Sequence, residues 1–168
     1  MIQIDSREQK NDHIISWFDS HGVPYIRSKM YVGDYQRVEN GTVCIDKKYG
    51  LQEVYGCVVS GYDRFRAECV RAKNAGIHLI ILVEEEKISS LDHVRDWENP
   101  RAARWERLMD AKKRGKLVRE KVPEAPPVSS IRIENRMRTL SKRTGVEWMF
   151  CRKEDTARTI LEVLHETY

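Results

Sequence analysis

A carboxylate and an ammonium group stand two residues apart at Asp46 and Lys48, near the end of a segment with the pattern of a β-strand. Side chains at this spacing leave the same face of a strand, about 6.5 Å apart along the chain. Carboxylates that hold a divalent cation suit phosphodiester hydrolysis, because the cation neutralises the phosphate and lowers the pKa of a bound water. The lysine can then orient that water or stabilise charge in the transition state.

Three further charged clusters fall where other predicted elements begin or end, the place where ligands gather in open α/β sheets. They are Asp5-Ser6-Arg7-Glu8, Gly33-Asp34-Tyr35 and Arg64-Phe65-Arg66. Mg²⁺ keeps several waters, so two or three carboxylates are enough to bind it. The structural alternatives are a surface ion pair, a turn, a helix cap or a solvated arginine.

Whether Asp34 and Asp46 can share a cation depends on the hairpin between them. A two-residue turn at Asn40-Gly41 places Tyr35 opposite Asp46 and sends Asp34 to the other face. A three-residue loop of Glu39-Asn40-Gly41, with Gly41 in the left-handed region as a bulge, sets Asp34 opposite Asp46 instead. We predict this second register or an equivalent bulge nearby.

Hydrophobic periodicity predicts alternating strands and helices, which is the α/β class. The predicted strands cover residues 1–5, 23–26, 32–38, 42–48, 77–83 and 146–151. The predicted helices cover residues 11–21, 51–61, 62–75, 101–114, 131–142 and 154–165. Segment 77–83 is almost continuously apolar, as expected for a strand covered on both faces.

Basic residues are concentrated in one part of this 168-residue chain, whose net charge is +4. Residues 95–121 contain ten Lys or Arg and five Asp or Glu, a net charge of +5, so the net charge of the rest of the chain is −1. This asymmetry indicates a polyanionic partner, with a solvated basic helix as the equal alternative. The candidate DNA contacts in this segment are Arg101, Arg104, Lys112 and Lys113. Trp97 and Trp105 could stack on nucleic acid, but packing against the core is the favoured interpretation.

Several other classes of protein are disfavoured. The four cysteines lack the spacing of a zinc site or a disulfide framework. No apolar run approaches the ~18–20 residues of a membrane span, and the first residues carry no signal-peptide pattern, so we expect a cytoplasmic protein with no membrane partner. The absence of GxGxxG and GxxxxGK[ST] motifs disfavours a nucleotide-binding α/β protein.

The order of the motifs resembles the XPF-type nuclease domain of the PD-(D/E)xK superfamily, in its small single-domain version from phage and prophage genomes. The motifs are Asp5-x-Arg7-Glu8, Gly33-Asp34, Asp46-Lys47-Lys48, Arg64-Phe65-Arg66 and a strand closing on Val83-Glu84. The resemblance implies a restriction-endonuclease-like mixed central sheet flanked by helices. We expect one nuclease domain over residues 1–168, with motifs in 1–86, a basic, partly helical insertion in 87–130 and a closing helix-strand-helix segment in 131–168.

The resemblance also implies a structure-selective DNA endonuclease that uses Mg²⁺ or Mn²⁺ and acts on branched or flapped DNA. The implied metal ligands are Asp34, Asp46 and Glu8, with Asp5 beside them. Lys48 is the implied catalytic lysine. Arg7 is implied as a support for the acidic cluster or a phosphate contact, and Arg64 as a further phosphate contact.

The chain departs from the family pattern at three places. Asp46-Lys47-Lys48 stands where the family has Glu-Arg-Lys, and Gln52, with Glu53 next to it, stands where a helix-borne Asp is expected. We expect no paired helix-hairpin-helix domain of the kind that many relatives use, and the basic segment 95–121 is the candidate substitute for it. A catalytically silent DNA-binding or scaffolding subunit is therefore the alternative function, and a homodimer stays open.

Overall fold

The computed structural model describes residues 1–165, which form a sheet of six strands with helices on both faces. The strands are β1 (Ile2–Asp5), β2 (Tyr25–Ser28), β3 (Tyr35–Arg37), β4 (Val43–Lys48), β5 (His78–Glu84) and β6 (Glu147–Cys151). The helices are α1 (Asp12–Ser20), α2 (Leu51–Val58), α3 (Tyr62–Asn74), α4 (Pro100–Lys113), α5 (Ser130–Thr144) and α6 (Thr156–Val163). Short 3₁₀ helices span Leu91–Asp96 and Lys153–Asp155. Residues 166–168 of the predicted closing segment lie outside the described residues.

The strand order is β2-β1-β3-β4-β5-β6, and the sheet is mixed. β3 runs antiparallel to its neighbours β1 and β4, whereas the pairs β1–β2, β4–β5 and β5–β6 are parallel. The carboxyl ends of β1, β4 and β5 therefore meet at one edge of the sheet, together with the start of β3. This arrangement confirms the predicted mixed central sheet flanked by helices.

Each face of the sheet packs on its own hydrophobic core. α2, α3 and α5 cover one face with buried residues that include Val54, Phe65 and Leu140, and α1 and α6 cover the other with Phe18 and Ile160. The side chains of β5 alternate between these two cores, and six of its seven residues are buried. The predicted strand covered on both faces is confirmed, because burial on both sides removes the polar alternation of a half-exposed strand.

Several element boundaries differ from the predicted ones. β2 begins two residues later than predicted, and β3 begins at Tyr35 rather than at residue 32. α2 ends at Val58 rather than at Gly61, whose N–H group donates to the carbonyl of Gly56 at 2.8 Å. The 3₁₀ helix at Leu91–Asp96 had no periodic signal in the sequence, because so short an element shows too few residues.

The predicted helix of the basic insertion is confirmed as α4. Pro100 occupies its first turn, and the Asn99 side chain caps it by accepting the Arg101 N–H at 3.0 Å. None of the residues of α4 is buried. Trp97, before the helix, packs against the core as expected, whereas Trp105 is half-buried and donates its indole N–H to the Pro123 carbonyl at 2.9 Å. Within residues 1–165, the helices are too short or too polar to cross a bilayer.

Glu134 on α5 is a buried carboxylate whose charge stabilises the fold. It accepts two hydrogen bonds of 2.9 Å from Arg95 and one of 2.8 Å from Arg138. The hydrogen bonds from Arg95 outweigh the opposing effect of burial and, with those from Arg138, lower the pKa of Glu134 to about 2. An unfolded Glu titrates near pH ~4.3, so the stabilisation is present above that pH and is lost as the pH falls toward the folded pKa.

We expect Glu134→Gln to lower the free energy of unfolding by about 2 kcal/mol at neutral pH, the scale of hydrogen bonds to a charged group. The difference from wild type should shrink below about pH 4. Urea unfolding followed by circular dichroism at several pH values measures both effects. Glu154→Gln is the control, because the Glu154–Arg152 pair is exposed and worth less than about 1 kcal/mol. Equal losses in the two variants would contradict the prediction.

Candidate active site

The predicted acidic residues gather at one edge of the sheet. Asp5 ends β1, Asp34 precedes β3, and Asp46 and Lys48 lie at the end of β4. β3 runs opposite to β1 and β4, so its beginning lies beside their ends. The strand directions thus bring together side chains that are far apart in the sequence.

The hairpin between β3 and β4 has the predicted register. Tyr35 pairs with Ile45 and Gln36 with Cys44, which sets Asp34 level with Asp46. The predicted left-handed conformation of Gly41 is wrong, since Gly41 does not have a positive φ. The Asn40 side chain closes the loop instead, by accepting hydrogen bonds from the Thr42 N–H at 3.2 Å and the Thr42 hydroxyl at 2.8 Å.

Asp46 and Lys48 form a buried ion pair, in which the Lys48 Nζ donates to Asp46 Oδ1 at 2.6 Å. The second carboxylate oxygen, Asp46 Oδ2, is buried without a hydrogen-bond partner in the described chain. Burial is the largest single effect and would lower the pKa of Lys48, but the Asp46 carboxylate and the other neighbouring groups together outweigh it and raise that pKa. Lys48 is therefore an ammonium at neutral pH, 5.6 Å from the centre of the Phe65 ring.

Asp34 is half-buried beside Asp46, and one of its oxygens, Oδ2, accepts the backbone N–H of Lys47 at 2.8 Å. Burial raises the pKa of Asp34 well above its usual range, and repulsion from Asp46 adds to this effect. Two carboxylates held together in this way strain the fold until a cation compensates them.

The raised pKa of Asp34 predicts a gain in stability when its charge is removed. A carboxyl group whose pKa is raised by folding destabilises the native state increasingly as the pH rises above its unfolded pKa of ~3.9. We expect Asp34→Asn to raise the free energy of unfolding by about 1 kcal/mol at pH ~8 without divalent metal, the scale of a single favourable replacement. Thermal unfolding in EDTA measures this, and Asp12→Asn on the exposed start of α1 is the control. A loss of stability in Asp34→Asn would contradict the prediction.

The chemistry of this pair of carboxylates fits a divalent cation. Asp46 Oδ2 has no hydrogen-bond partner among the described residues and is free to act as a metal ligand. A hard cation would also relieve the mutual repulsion of Asp34 and Asp46. Within residues 1–165, however, no three His, Cys, Asp or Glu side chains converge closely enough to complete a cage. Asp34 and Asp46 are thus the candidate ligands that the geometry supports, and water would supply the remaining positions.

Glu8, the third implied ligand, faces a different lysine. Its carboxylate lies 3.4 Å from the Nζ of Lys47, which also donates to the carbonyl of Lys10 at 3.0 Å. Lys47 is 2% exposed and emerges on the opposite face of β4 from Asp46 and Lys48. The segment Asp46-Lys47-Lys48 therefore places charged side chains on both faces of β4. The role of Glu8 as a metal ligand stays a prediction.

Asp5 and Arg7 hold the loop that precedes Asp34. Asp5 Oδ1 accepts from the Arg7 N–H at 2.7 Å and from Arg7 Nε at 2.9 Å, and Oδ2 accepts from Arg7 Nη2 at 2.6 Å and the Met30 N–H at 3.1 Å. The hydrogen bonds from Arg7 are the main reason that the pKa of Asp5 is lowered. Both oxygens of Asp5 thus accept hydrogen bonds. These contacts support Arg7 as a residue that positions the acidic cluster rather than as a phosphate contact.

The sequence patterns do not predict one buried cluster of side chains at this edge. Glu84, at the end of β5, accepts from the Thr156 hydroxyl at 2.8 Å and lies 2.6 Å from His13 Nε2. These contacts tie α1 and α6 to the sheet. The Val83-Glu84 end of the apolar strand was the available signal, but neither the periodicity of α1 nor that of α6 identifies partners so distant in the chain.

A groove of about 820 Å³ runs along α2. Arg64 and Arg101 line it, as do Gln52 and Glu53, the two candidates for the family's helix-borne acid. Glu53 also accepts the N–H of Tyr49 at 2.9 Å, which stabilises the start of α2. Two of the predicted DNA contacts, from separate parts of the chain, therefore share one groove.

The other predicted DNA contacts lie elsewhere on α4. Arg104 pairs with Glu120 and lines a hollow of about 420 Å³ between α4 and the proline-containing segment that follows it. Lys112 and Lys113 are exposed in the last turn of α4. The Arg101 guanidinium stacks 4.8 Å from the centre of the Tyr55 ring on α2, which connects the insertion to the groove.

Comparisons with known proteins agree with this architecture. The family model described as ERCC4 domain matches residues 4–163. The solved structure of XPF from Aeropyrum pernix is 16% identical, with a TM-score of 0.63 over 98% of this chain and 63% of the other. XPF from the same organism in complex with DNA is 17% identical, with a TM-score of 0.61 over 98% and 62%. The chain thus spans about three fifths of those XPF chains, and such identities show the fold alone. Among proteins with curated descriptions, none matches significantly.

Proposed function

The chain belongs to the ERCC4 domain family, and from this premise we propose that it is a divalent-metal-dependent endonuclease that hydrolyses phosphodiester bonds in branched or flapped DNA. The observation that carries the proposal is the pair of neighbouring carboxylates, half-buried Asp34 and buried Asp46, beside the Lys48 ammonium. A site of this kind lowers the stability of the fold, because buried charges are expensive unless they are fully paired. A role in binding a cation and a phosphate explains why the fold retains it.

Asp34 and Asp46 are the residues that would hold Mg²⁺ or Mn²⁺, which neutralises phosphate charge and activates water when bound. Lys48 keeps its proton, so it acts as a hydrogen-bond donor and a positive charge rather than as a base. Its Nζ orients Asp46 through the 2.6 Å hydrogen bond and can stabilise negative charge that develops on the phosphate. The loop held by Asp5 and Arg7 keeps Asp34 in place.

DNA would approach through the groove along α2, where Arg64 and Arg101 supply positive charge. Contacts of this kind bind phosphates and position the DNA without reading its sequence. The basic residues of α4 extend this surface. We propose that the insertion provides the grip that the helix-hairpin-helix domain provides in many relatives, and that the protein works inside the cell.

The decisive experiment is cleavage of fluorescent DNA substrates of equal length: a flap, a four-way junction and a linear duplex. We expect nicking of the branched substrates in Mg²⁺ or Mn²⁺, little nicking of the duplex and none in EDTA. Faster cleavage of the duplex would overturn the preference for branched DNA.

DNA binding without metal-dependent cleavage, by protein shown to bind Mn²⁺, would instead support the scaffolding alternative that Gln52 leaves open. Absence of both binding and cleavage would overturn the proposed function altogether.

A further inference from the structure

Three lysine ammonium groups surround the ring of Tyr49, the residue that follows Lys48. The Nζ atoms of Lys10, Lys47 and Lys153 lie 6.0, 5.9 and 5.2 Å from the ring centre. Lys153 Nζ is also 3.5 Å from the Tyr49 hydroxyl. Cations favour the face of an aromatic ring, but three like charges around one ring also repel each other.

Only one of these charges is balanced by a carboxylate in the described chain. Lys47 is buried and lies 3.4 Å from Glu8. For Lys10 and Lys153, no carboxylate of residues 1–165 lies within ion-pair distance of the ammonium group. Tyr49 between them is 49% exposed. The surface therefore carries two uncompensated cations and an accessible ring.

Tyr49 stands between two hollows of opposite charge. On one side, the groove along α2 is lined by three basic residues and one acidic residue: Lys10, Arg64, Arg101 and Glu53. On the other side, a smaller hollow of about 220 Å³ is lined by three acidic residues and one basic residue: Glu84, Glu85, Glu86 and Lys153. A polyanion would follow the groove as far as Tyr49 and be repelled by the acidic hollow beyond it.

We propose that Lys10, Tyr49 and Lys153 form a phosphate clamp for the DNA strand, at the point where the groove along α2 meets the acidic hollow. The two ammonium groups bind phosphate oxygens, and the acidic hollow sets where the backbone turns away. This inference rests on the proposed function, since it assigns a position on the DNA substrate.

The salt dependence of DNA binding tests the clamp. The double change Lys10→Gln with Lys153→Gln is placed in the Asp46→Asn protein, so that bound DNA stays intact in Mg²⁺. Loss of two phosphate contacts should reduce the slope of log K against log salt by about 1.8 for duplex DNA. The matched control is Lys142→Gln with Arg143→Gln, which removes the same charge from the exposed last turn of α5, just before β6 begins. Its slope should equal that of the parent.

The position of the clamp is tested with DNA that carries one neutral methylphosphonate linkage, moved stepwise away from the cleavage site. At the contacted linkages, the ratio of Kd between the lysine variant and its parent should fall toward one, an effect that general destabilisation would not produce. The clamp is overturned if the lysine variant has the same salt-dependence slope as the control, or if the Kd ratio does not depend on the position of the linkage. Cleavage by the wild type would leave the proposed function standing in either case. Failure of the parent to bind any DNA overturns both.

Discussion

Asp46→Asn should reduce metal-dependent DNA cleavage by about 10³-fold or more while leaving the fold and DNA affinity nearly unchanged. The substitution removes the negative charge that makes Asp46 Oδ2 a cation ligand, and it keeps an oxygen that can accept from Lys48 Nζ. Losing one electrostatic group of an active site commonly costs a factor of ~10²–10³, and losing a metal ligand removes the Lewis acid as well. Single-turnover cleavage of a flap substrate measures the effect.

Glu53→Gln is the matched control for this prediction. It makes the same chemical change on the wall of the groove, where the Glu53 side chain accepts only from the Tyr49 N–H among the contacts described. If Glu53 replaces the family's helix-borne acid, cleavage falls in both variants. If it only caps α2, cleavage falls in Asp46→Asn alone. Full activity of Asp46→Asn would exclude Asp46 as a ligand.

Gly33→Ala should destabilise the protein by about 2–5 kcal/mol and displace Asp34. Gly33 has a φ of +67°, which costs a residue with a side chain about 1–2 kcal/mol. An added Cβ would also lie 2.6 Å from Cys44 Sγ and 2.9 Å from the Ile45 carbonyl oxygen, so that the hairpin would have to open. Overpacking of this kind adds about 1–3 kcal/mol. Urea unfolding gives the loss of stability.

Gly76→Ala separates the two causes. Its φ of +69° is almost the same, but nothing lies within 4 Å of an added Cβ. We expect this control to lose only about 1–2 kcal/mol, the strain of the backbone alone, and to keep its cleavage activity. Equal losses in the two variants would show that Cys44 and Ile45 yield easily and that Gly33 is needed for its backbone conformation only.

The parts of the fold with a strong periodic signal could be predicted from the sequence. The apolar run of β5 and the amphipathic α1, α3 and α5 lie within two residues of their predicted bounds. β2 and β3 were less predictable, because an irregular loop held by Asp5, Arg7 and Met30 replaces most of the expected strand before Tyr35. Hydrogen bonds between distant residues determine that loop, and no local pattern records them.

In the candidate site, too, some features could be predicted from the sequence and others depend on contacts that form only on folding. The register that sets Asp34 level with Asp46 followed from the requirement that two carboxylates share a face, and the family predicted from the motif order is the one that matches. The turn itself depends on one side-chain contact from Asn40 to Thr42, which replaced the expected glycine conformation. The pairing of Glu8 with Lys47 and of Glu84 with His13 depends on which face each residue occupies after folding.

The exposure of α4 has a consequence for how such a domain can diversify. A helix that buries none of its residues contributes little to the hydrophobic core, so its length and charge can change without disturbing the sheet. The carboxylates at the sheet edge, by contrast, precede or lie on strands that are buried between the two cores. In a nuclease of the proposed kind, exchange of α4 would therefore change the surface offered to DNA and leave the carboxylates in place.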